Sequence, residues 1–148
     1  VYELEAQILA QGVNLKKGAK NLLTFLKREG IPIALATSSI ESRARMILDS
    51  NGILSLFDHL VFAKDVKRSK PYPDIFLKAC SDLNVLPENC LVLEDSEAGI
   101  EAASRAGIPV ICIPDLKIPA QSFLNKTEQV FQDLDAVRDY LESKKEVF

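Results

Sequence analysis

The amino-acid sequence predicts an α/β fold in which one parallel sheet carries helices on both faces, in three layers. Four short runs are almost wholly apolar, which is typical of strands buried on both faces. They cover residues 31–36, 59–63, 90–93 and 110–113. Between them lie segments with apolar side chains at helical spacing. Strands that alternate with helices form βαβ units, in which the strands run parallel.

Capping residues and helix-ending residues set the limits of the predicted helices. Gly30 and Gly107 each follow an amphipathic segment and end it, and Ser96 is a good N-cap for the segment that Gly107 ends. These signals place helices at residues 19–29, 41–50, 74–84, 96–106 and around 134–141. The predicted architecture is therefore a Rossmann-like, doubly wound sheet.

Two stretches fit this alternation less well. Leu4, Ile8 and Leu9 would share one side of a helix, so a helix is predicted over residues 1–11. Residues 113–126 have no clear periodicity. Because no internal repeat or flexible linker is visible, residues 1–148 are predicted to form a single domain.

The composition limits the classes of function. The chain has 148 residues, 47% apolar and 26% charged, which suits one globular domain with a sizeable core. Its net charge of 18 − 21 = −3 argues against nucleic-acid binding. No apolar run approaches the ~18 residues that a membrane span needs. We therefore expect neither a nucleic-acid partner nor a membrane partner.

The cysteines indicate a reducing compartment. Cys80, Cys90 and Cys112 are odd in number and lack CxxC spacing, so we expect buried, reduced thiols and a cytoplasmic location. His59 is the single histidine, which excludes a metal site built from several histidines.

Polar and charged side chains follow three successive predicted strands. Because ligands of open parallel sheets bind beyond the carboxyl ends of the strands, these side chains should lie at one edge. They are Thr37, Ser38 and Ser39 after the first strand, Lys70 in the charged loop after the second, and Glu94 and Asp95 after the third. Hydroxyl groups can hold phosphate oxygens, an ammonium group can neutralise them, and paired carboxylates can hold Mg²⁺.

Each of these features alone also has a structural explanation. Ser and Thr after a strand often cap the next helix, and a loop lysine is usually solvated. Acidic residues before a helix can simply stabilise its N-terminal dipole. Their occurrence together at successive strand ends favours a phosphate and Mg²⁺ site.

Three segments resemble the second, third and fourth motifs of the haloacid dehalogenase-like superfamily. They are residues 33–39 (IALATSS), 69–76 (SKPYPDIF) and 91–103 (LVLEDSEAGIEAA). The K-P-x-P-D-I-F and E-D-S-x-x-G-I forms are similar to those of its β-phosphoglucomutase and small-sugar phosphatase branch. The resemblance covers residues 17–113, and the motifs occur in the family's order.

The resemblance implies a role for each predicted site residue. Thr37 and the backbone N–H of Ser38 would bind the transferring phosphoryl group, and Ser39 would contact the substrate phosphate. Lys70 would neutralise the charge on the phosphoaspartate and its attacking carboxylate. The two carboxylates after the third strand would hold the metal, with Asp95 as a direct Mg²⁺ ligand and Glu94 as a second or water-mediated ligand.

The family's first motif, D-x-D-x-[TV], is the departure from this pattern. It supplies the nucleophilic aspartate, and the chain has no such motif before residue 33. Asp133-Leu134-Asp135 matches D-x-D by letters only, because it follows the fourth motif at a predicted helix start, where capping explains it better. No residue of this chain can therefore be assigned as the nucleophile, and residues 1–16 are interpreted as the tail of the family's helical cap and a linker.

In this family the first-motif strand lies between the strand ending at Thr37 and the strand ending at Glu94. We therefore expect an incomplete sheet in this chain, lacking that first strand and most of the cap, unless an upstream segment or a partner chain completes it. On this interpretation the chain alone would show no phosphatase turnover and would not fold stably as a monomer, because unsatisfied buried backbone groups cost about 1–3 kcal/mol each.

These observations favour the C-terminal part of a Mg²⁺-dependent phosphohydrolase that acts on a small phosphorylated metabolite through an aspartyl-phosphate. A phosphoglucomutase-like phosphotransferase is the nearest enzymatic alternative. A non-catalytic phosphate-binding or interaction module that lost the nucleophile is another. A response-regulator receiver is disfavoured, because receivers place the acidic pair first and the lysine last.

Overall fold

The computed structural model describes residues 2–5 and 15–144. Strands and helices alternate along the chain. In chain order the elements are β1 (Tyr2–Glu5), α1 (Ala19–Arg28), β2 (Ile33–Thr37), α2 (Glu41–Ser50), β3 (His59–Phe62), α3 (Asp74–Leu83), β4 (Leu91–Glu94), α4 (Glu97–Ala106), β5 (Val110–Cys112), α5 (Gln121–Leu124), β6 (Gln129–Val130) and α6 (Leu134–Ser143). The predicted α/β class is confirmed, and the four predicted strands and five of the six predicted helices form within a few residues of their expected limits.

The strands form one six-stranded parallel sheet in the order β3-β2-β1-β4-β5-β6. The chain builds outward from β1 through β2 to β3, and later in the other direction through β4 to β6. A crevice forms where the direction of winding changes, at the carboxyl ends of the strands that flank β1. This is the edge at which the predicted site residues should meet.

Two apolar cores cover the two faces of the sheet. On β2, Ile33 and Leu35 pack into the core that contains α1 and α6. Ala34 and Ala36 pack into the core of α3 and α4 on the opposite face. Since every residue of β2 is buried, the strand is apolar along nearly its whole length, which explains why its run was visible in the sequence.

The prediction of a helix over residues 1–11 is wrong for residues 2–5, which form β1. This strand pairs in parallel with β2, with Tyr2 opposite Ile33, and with β4, with Tyr2 opposite Leu91. The place expected to be empty is therefore filled by the chain's own backbone, without a partner. The physical reason is that the buried N–H and C=O groups of the two flanking strands require hydrogen-bond partners. This requirement outweighs the weak helical preference of a short apolar pattern. Residues 6–14 of the predicted cap tail and linker lie outside the described residues.

Two elements in the C-terminal third were not predicted. The stretch without periodicity contains the short helix α5, and β6 follows it at the edge of the sheet. Gln129 and Val130 of β6 are both exposed, so this strand has no buried face. Without a buried face it carries no alternation of polar and apolar residues that a sequence pattern could reveal.

Asp133 is the N-cap of α6, as the sequence predicted. Its carboxylate accepts a hydrogen bond of 2.8 Å from the N–H of Ala136, which lowers the pKa of Asp133. The start of α6 also requires a glycine at position 18. Gly18 has a φ of 87°, and a Cβ there would overlap the backbone nitrogen of Asp135. Asp133-Leu134-Asp135 is therefore a helix-capping sequence.

Among the residues that the structure describes, no helix combines the length and apolar character needed to cross a membrane.

Candidate functional site

Thr37 ends β2 with its side chain fully buried. Its Oγ1 accepts a 3.0 Å hydrogen bond from the N–H of Ser39, which turns the chain away from the strand. Ser38 is exposed and Ser39 is half-buried at the same edge. The N-cap position of α2 is Ile40, which makes no side-chain capping bond, so helix capping does not account for these three hydroxyl groups.

Lys70 reaches the same edge from the loop that follows β3. Its side chain is only 7% exposed, and Nζ lies 3.3 Å from the carbonyl oxygen of Ala36, the residue before Thr37. Nζ also lies 3.3 Å from Oε2 of Glu94 and 4.9 Å from the centroid of the Phe76 ring. A buried ammonium needs such partners, because desolvation of an isolated charge is costly. Lys70 is therefore an organised internal cation that joins β2 to β4, and not a solvated loop residue.

Glu94 is fully buried at the end of β4, and both of its carboxylate oxygens are hydrogen-bonded. Oε2 accepts from Lys70, while Oε1 accepts from the N–H of Asp95 at 3.0 Å and from the N–H of Ser96 at 3.2 Å. The hydroxyl group of Ser96 donates a further bond of 3.1 Å to Oε1. These donors compensate the loss of water around the buried charge.

Gly99 was not predicted as part of the site, although the Gly of E-D-S-x-x-G was the signal that could have revealed it. It lies in the first turn of α4, where its N–H donates to the hydroxyl of the capping residue Ser96 at 3.0 Å. A Cβ at Gly99 would overlap Cδ and Oε2 of Glu94. The glycine therefore makes room for the buried carboxylate beneath the helix N-terminus.

This contact predicts that Gly99→Ala destabilises the protein by about 1–3 kcal/mol, the usual cost of overpacking a filled site. Helix propensity alone would predict the opposite change in stability, because it favours Ala over Gly by about 1 kcal/mol. Urea unfolding measures the change in the free energy of unfolding.

The control for this prediction repeats the substitution in a Glu94→Ala background. There the overlapping atoms are absent, so Gly99→Ala should be neutral or stabilising. An increase in stability from Gly99→Ala while Glu94 is present would show that the glycine has no steric role.

Asp95 is more accessible than Glu94, with 19% of its side chain exposed. It borders a cleft of about 330 Å³ that is also lined by Asp115 and Leu116. Nζ of Lys16 lies 3.8 Å from Oδ2 of Asp95 and 3.5 Å from Oδ2 of Asp115, with only 11% of the lysine side chain exposed. Lys16 was not predicted, because nothing in the local sequence before α1 distinguishes it from an ordinary surface lysine.

The two carboxylates suit a hard cation. Mg²⁺ is commonly held by one or two carboxylates together with water and substrate phosphate oxygens. Asp95 and Glu94 supply such a pair at the carboxyl end of β4, and Asp95 faces the cleft. Within the described residues there is no cluster of three or more His, Cys, Asp or Glu side chains that could hold a metal without such added ligands.

The six predicted residues thus lie at one edge of the sheet, but only some of them are in direct contact. Lys70 contacts Glu94 directly and the β2 backbone through Ala36, one residue before Thr37. Ser38 and Ser39 follow on the more exposed side. The fixed part of the site is a buried hydroxyl, ammonium and carboxylate, with Asp95 on the open side.

A sequence model of the haloacid dehalogenase-like hydrolase family matches residues 1–113, about three quarters of the chain. The chain belongs to this family. The match includes Thr37, Lys70 and the Glu94–Asp95 pair, so all six predicted site residues of this haloacid dehalogenase-like protein lie in the matched part of the chain.

Individual relatives agree with this assignment. A phosphorylated carbohydrates phosphatase of Thermotoga maritima is 38% identical over 73% of the chain and 50% of its own length. A β-phosphoglucomutase of Bacillus subtilis is 42% identical over 64% of the chain and 41% of its own length. Among solved structures, CbbY from Rhodobacter sphaeroides in complex with phosphate has a TM-score of 0.73 and 29% identity, over 80% of the chain and 54% of that protein. The chain therefore spans about half the length of the relatives it matches.

Proposed function

We propose that this chain forms the phosphate-binding and Mg²⁺-binding part of a phosphohydrolase that acts on a small phosphorylated metabolite. The main support is the position of the Lys70 ammonium, buried between the Ala36 carbonyl at the end of β2 and the carboxylate of Glu94. A fixed positive charge at a strand-end crevice stabilises negative charge that develops on a transferring phosphoryl group.

Each residue has a part in the proposed reaction. The hydroxyl of Thr37 and the backbone N–H of Ser38 bind oxygens of the phosphoryl group, and Ser39 contacts the substrate phosphate. Mg²⁺, when bound, neutralises charge on the phosphate. Asp95 would hold it directly, with Glu94 as a second or water-mediated ligand. Glu94 also keeps Lys70 in position through the bond of 3.3 Å.

The nucleophile is proposed to lie outside the described residues. An aspartyl-phosphate needs a carboxylate that can approach phosphorus. Both carboxylates at the end of β4 have other interactions, since Glu94 is enclosed by donors and Asp95 faces Lys16 and the cleft. We therefore assign the described residues the binding and charge-stabilising functions, and not that of the attacking group.

The substrate is proposed to be a sugar phosphate or a metabolite of similar size. A cleft of about 330 Å³ beside Asp95 can hold a molecule of that size. Its border includes both polar groups and the exposed residue Leu116. The net charge of −3 further supports a small-molecule substrate over a nucleic acid. Three buried cysteines, none of them in a disulfide bond, support a reducing location such as the cytoplasm.

The test is an assay of the full-length protein against a panel of sugar phosphates and other small phosphomonoesters, with Mg²⁺ and with chelator. The proposal predicts release of inorganic phosphate that requires the metal. Because a β-phosphoglucomutase is among the relatives, phosphoryl transfer is the second candidate, and it would produce an isomeric sugar phosphate in place of inorganic phosphate.

The same assay distinguishes an enzyme from the alternative of a non-catalytic phosphate-binding module. Binding of inorganic phosphate without turnover of any substrate would favour a phosphate-binding module and contradict an enzymatic function. Full activity in chelator would contradict the proposed metal requirement.

A further inference from the structure

Two of the three cysteines form a buried pair that lies apart from the proposed site. Cys80 belongs to α3 and Cys90 directly precedes β4, and neither forms a disulfide bond. The residues are only 2% and 4% exposed, and their sulfur atoms are 3.2 Å apart. Cys80 donates this hydrogen bond, and Cys90 in turn donates to the carbonyl oxygen of Leu86 at 3.4 Å.

We propose that Cys80 and Cys90 are a modification site at which a hydroperoxide forms a reversible intramolecular disulfide. A disulfide bond is about 2.05 Å long, so the two sulfur atoms need to approach by only about 1.1 Å. The chain between them reverses direction at Asn84, which has a φ of 60°, and this turn holds the end of α3 against the start of β4. The fold therefore already supplies the proximity that disulfide formation requires.

The two thiols of the pair differ in acidity, and this difference sets the order in which they react with the oxidant. The hydrogen bond from Cys80 lowers the pKa of Cys90, so Cys90 is the better source of thiolate. The Cys112 side chain is fully buried in β5, so it serves as an internal control for reactivity.

The reaction balances with hydrogen peroxide as the oxidant. The Cys90 thiolate attacks one peroxide oxygen, the O–O bond breaks, and the leaving hydroxide takes up a proton to become water. Cys90 is then a sulfenic acid. The Cys80 sulfur attacks the Cys90 sulfur, the S–O bond breaks, and a second water leaves. Two thiols are oxidised by two electrons in total, and one peroxide is reduced to two waters.

The experiment treats the folded, fully reduced protein with hydrogen peroxide, blocks remaining thiols with an alkylating agent, and maps peptides without reduction. We expect the number of titratable thiols to fall from three to one. The mass before alkylation should fall by about 2 Da, and a peptide cross-linked between Cys80 and Cys90 should appear. Dithiothreitol should restore all three thiols.

Matched variants identify the residues involved. Cys112→Ala should still form the disulfide, whereas Cys80→Ala and Cys90→Ala should not. The oxidised wild-type protein should also have a Tm about 5 °C or more above that of the reduced protein, because the cross-link restricts the unfolded chain.

Several results would overturn the proposal, and all can be read from the wild-type protein alone. They are the persistence of three thiols after peroxide treatment, oxidation of Cys112 before the pair, and a cross-link between two molecules. Conversion of Cys90 to a sulfinic acid without a disulfide would also contradict it. None of these measurements depends on the phosphatase activity, so the outcome is independent of the proposed function.

Discussion

Lys70→Met is expected to lower the kcat of the full-length protein by about 100-fold or more, with a smaller change in KM. The substitution keeps the length of the side chain and removes the ammonium group that lies 3.3 Å from both Ala36 O and Glu94 Oε2. Loss of one fixed charge-stabilising group typically costs about 3 kcal/mol in the transition state, which corresponds to this change in rate. Steady-state kinetics at saturating Mg²⁺ measures it.

The same substitution should lower stability, because it leaves the carboxylate of Glu94 buried without its cation. Breaking a buried ion pair in this way costs about 3–5 kcal/mol. The double variant Lys70→Met/Glu94→Gln removes both charges, so it should recover much of the lost stability without recovering kcat. That pattern separates the electrostatic role from unfolding.

Lys67→Met is the matched control, since Lys67 is an exposed lysine of the same loop. It should leave kcat and the free energy of unfolding unchanged. If Lys70→Met kept turnover within a factor of about two, the buried ammonium would have no part in the reaction.

Asp95→Asn is expected to abolish the Mg²⁺-dependent activity while preserving the fold. The variant keeps the shape of the side chain but removes the charge that a hard cation needs from a carboxylate ligand. Because 19% of the Asp95 side chain is exposed, stability should change little compared with a substitution at the fully buried Glu94. Activity measured over a range of Mg²⁺ concentrations, together with calorimetric Mg²⁺ binding, tests this.

Asp115→Asn provides the comparison for Asp95. Asp115 lines the same cleft and faces the same lysine, Lys16, but its side chain is 49% exposed. It lies in the loop after β5, whereas Asp95 directly follows β4. The Asp115→Asn variant should therefore retain Mg²⁺-dependent turnover. Unchanged Mg²⁺ affinity and activity in Asp95→Asn, or equal losses in both variants, would exclude Asp95 as the principal metal ligand.

The elements that local patterns predicted best are those buried on both faces. β2 and β4 are buried along their full length, so their apolar runs could not be mistaken for surface segments. The helices α1 and α4 end within two residues before Gly30 and Gly107, both with positive φ, as their sequences indicated. In contrast, β6 has exposed residues only, and nothing in its sequence indicated a strand.

The N-terminal segment shows where local pattern misleads. Leu4, Ile8 and Leu9 have helical spacing, yet residues 2–5 form the strand between β2 and β4. The competing requirement is long-range, since two buried strands need hydrogen-bond partners on the sides that face each other. No window of a few residues contains that information.

The sequence by itself determined the α/β class, the order of strands β2 to β5 and of the five longer helices, and the residue types gathered at the strand ends. It could do so because strands buried on both faces are apolar throughout, because helices buried on one face have an apolar period of 3.6, and because motif residues stand at fixed offsets from the strands. Only the tertiary structure decided that Lys70 is buried against Glu94, 24 residues away, and that Gly99 makes room for that carboxylate. It also brought Cys80 against Cys90. These contacts join separate elements, so they depend on which strands are neighbours and how closely the helices pack, and neither is encoded in a local pattern.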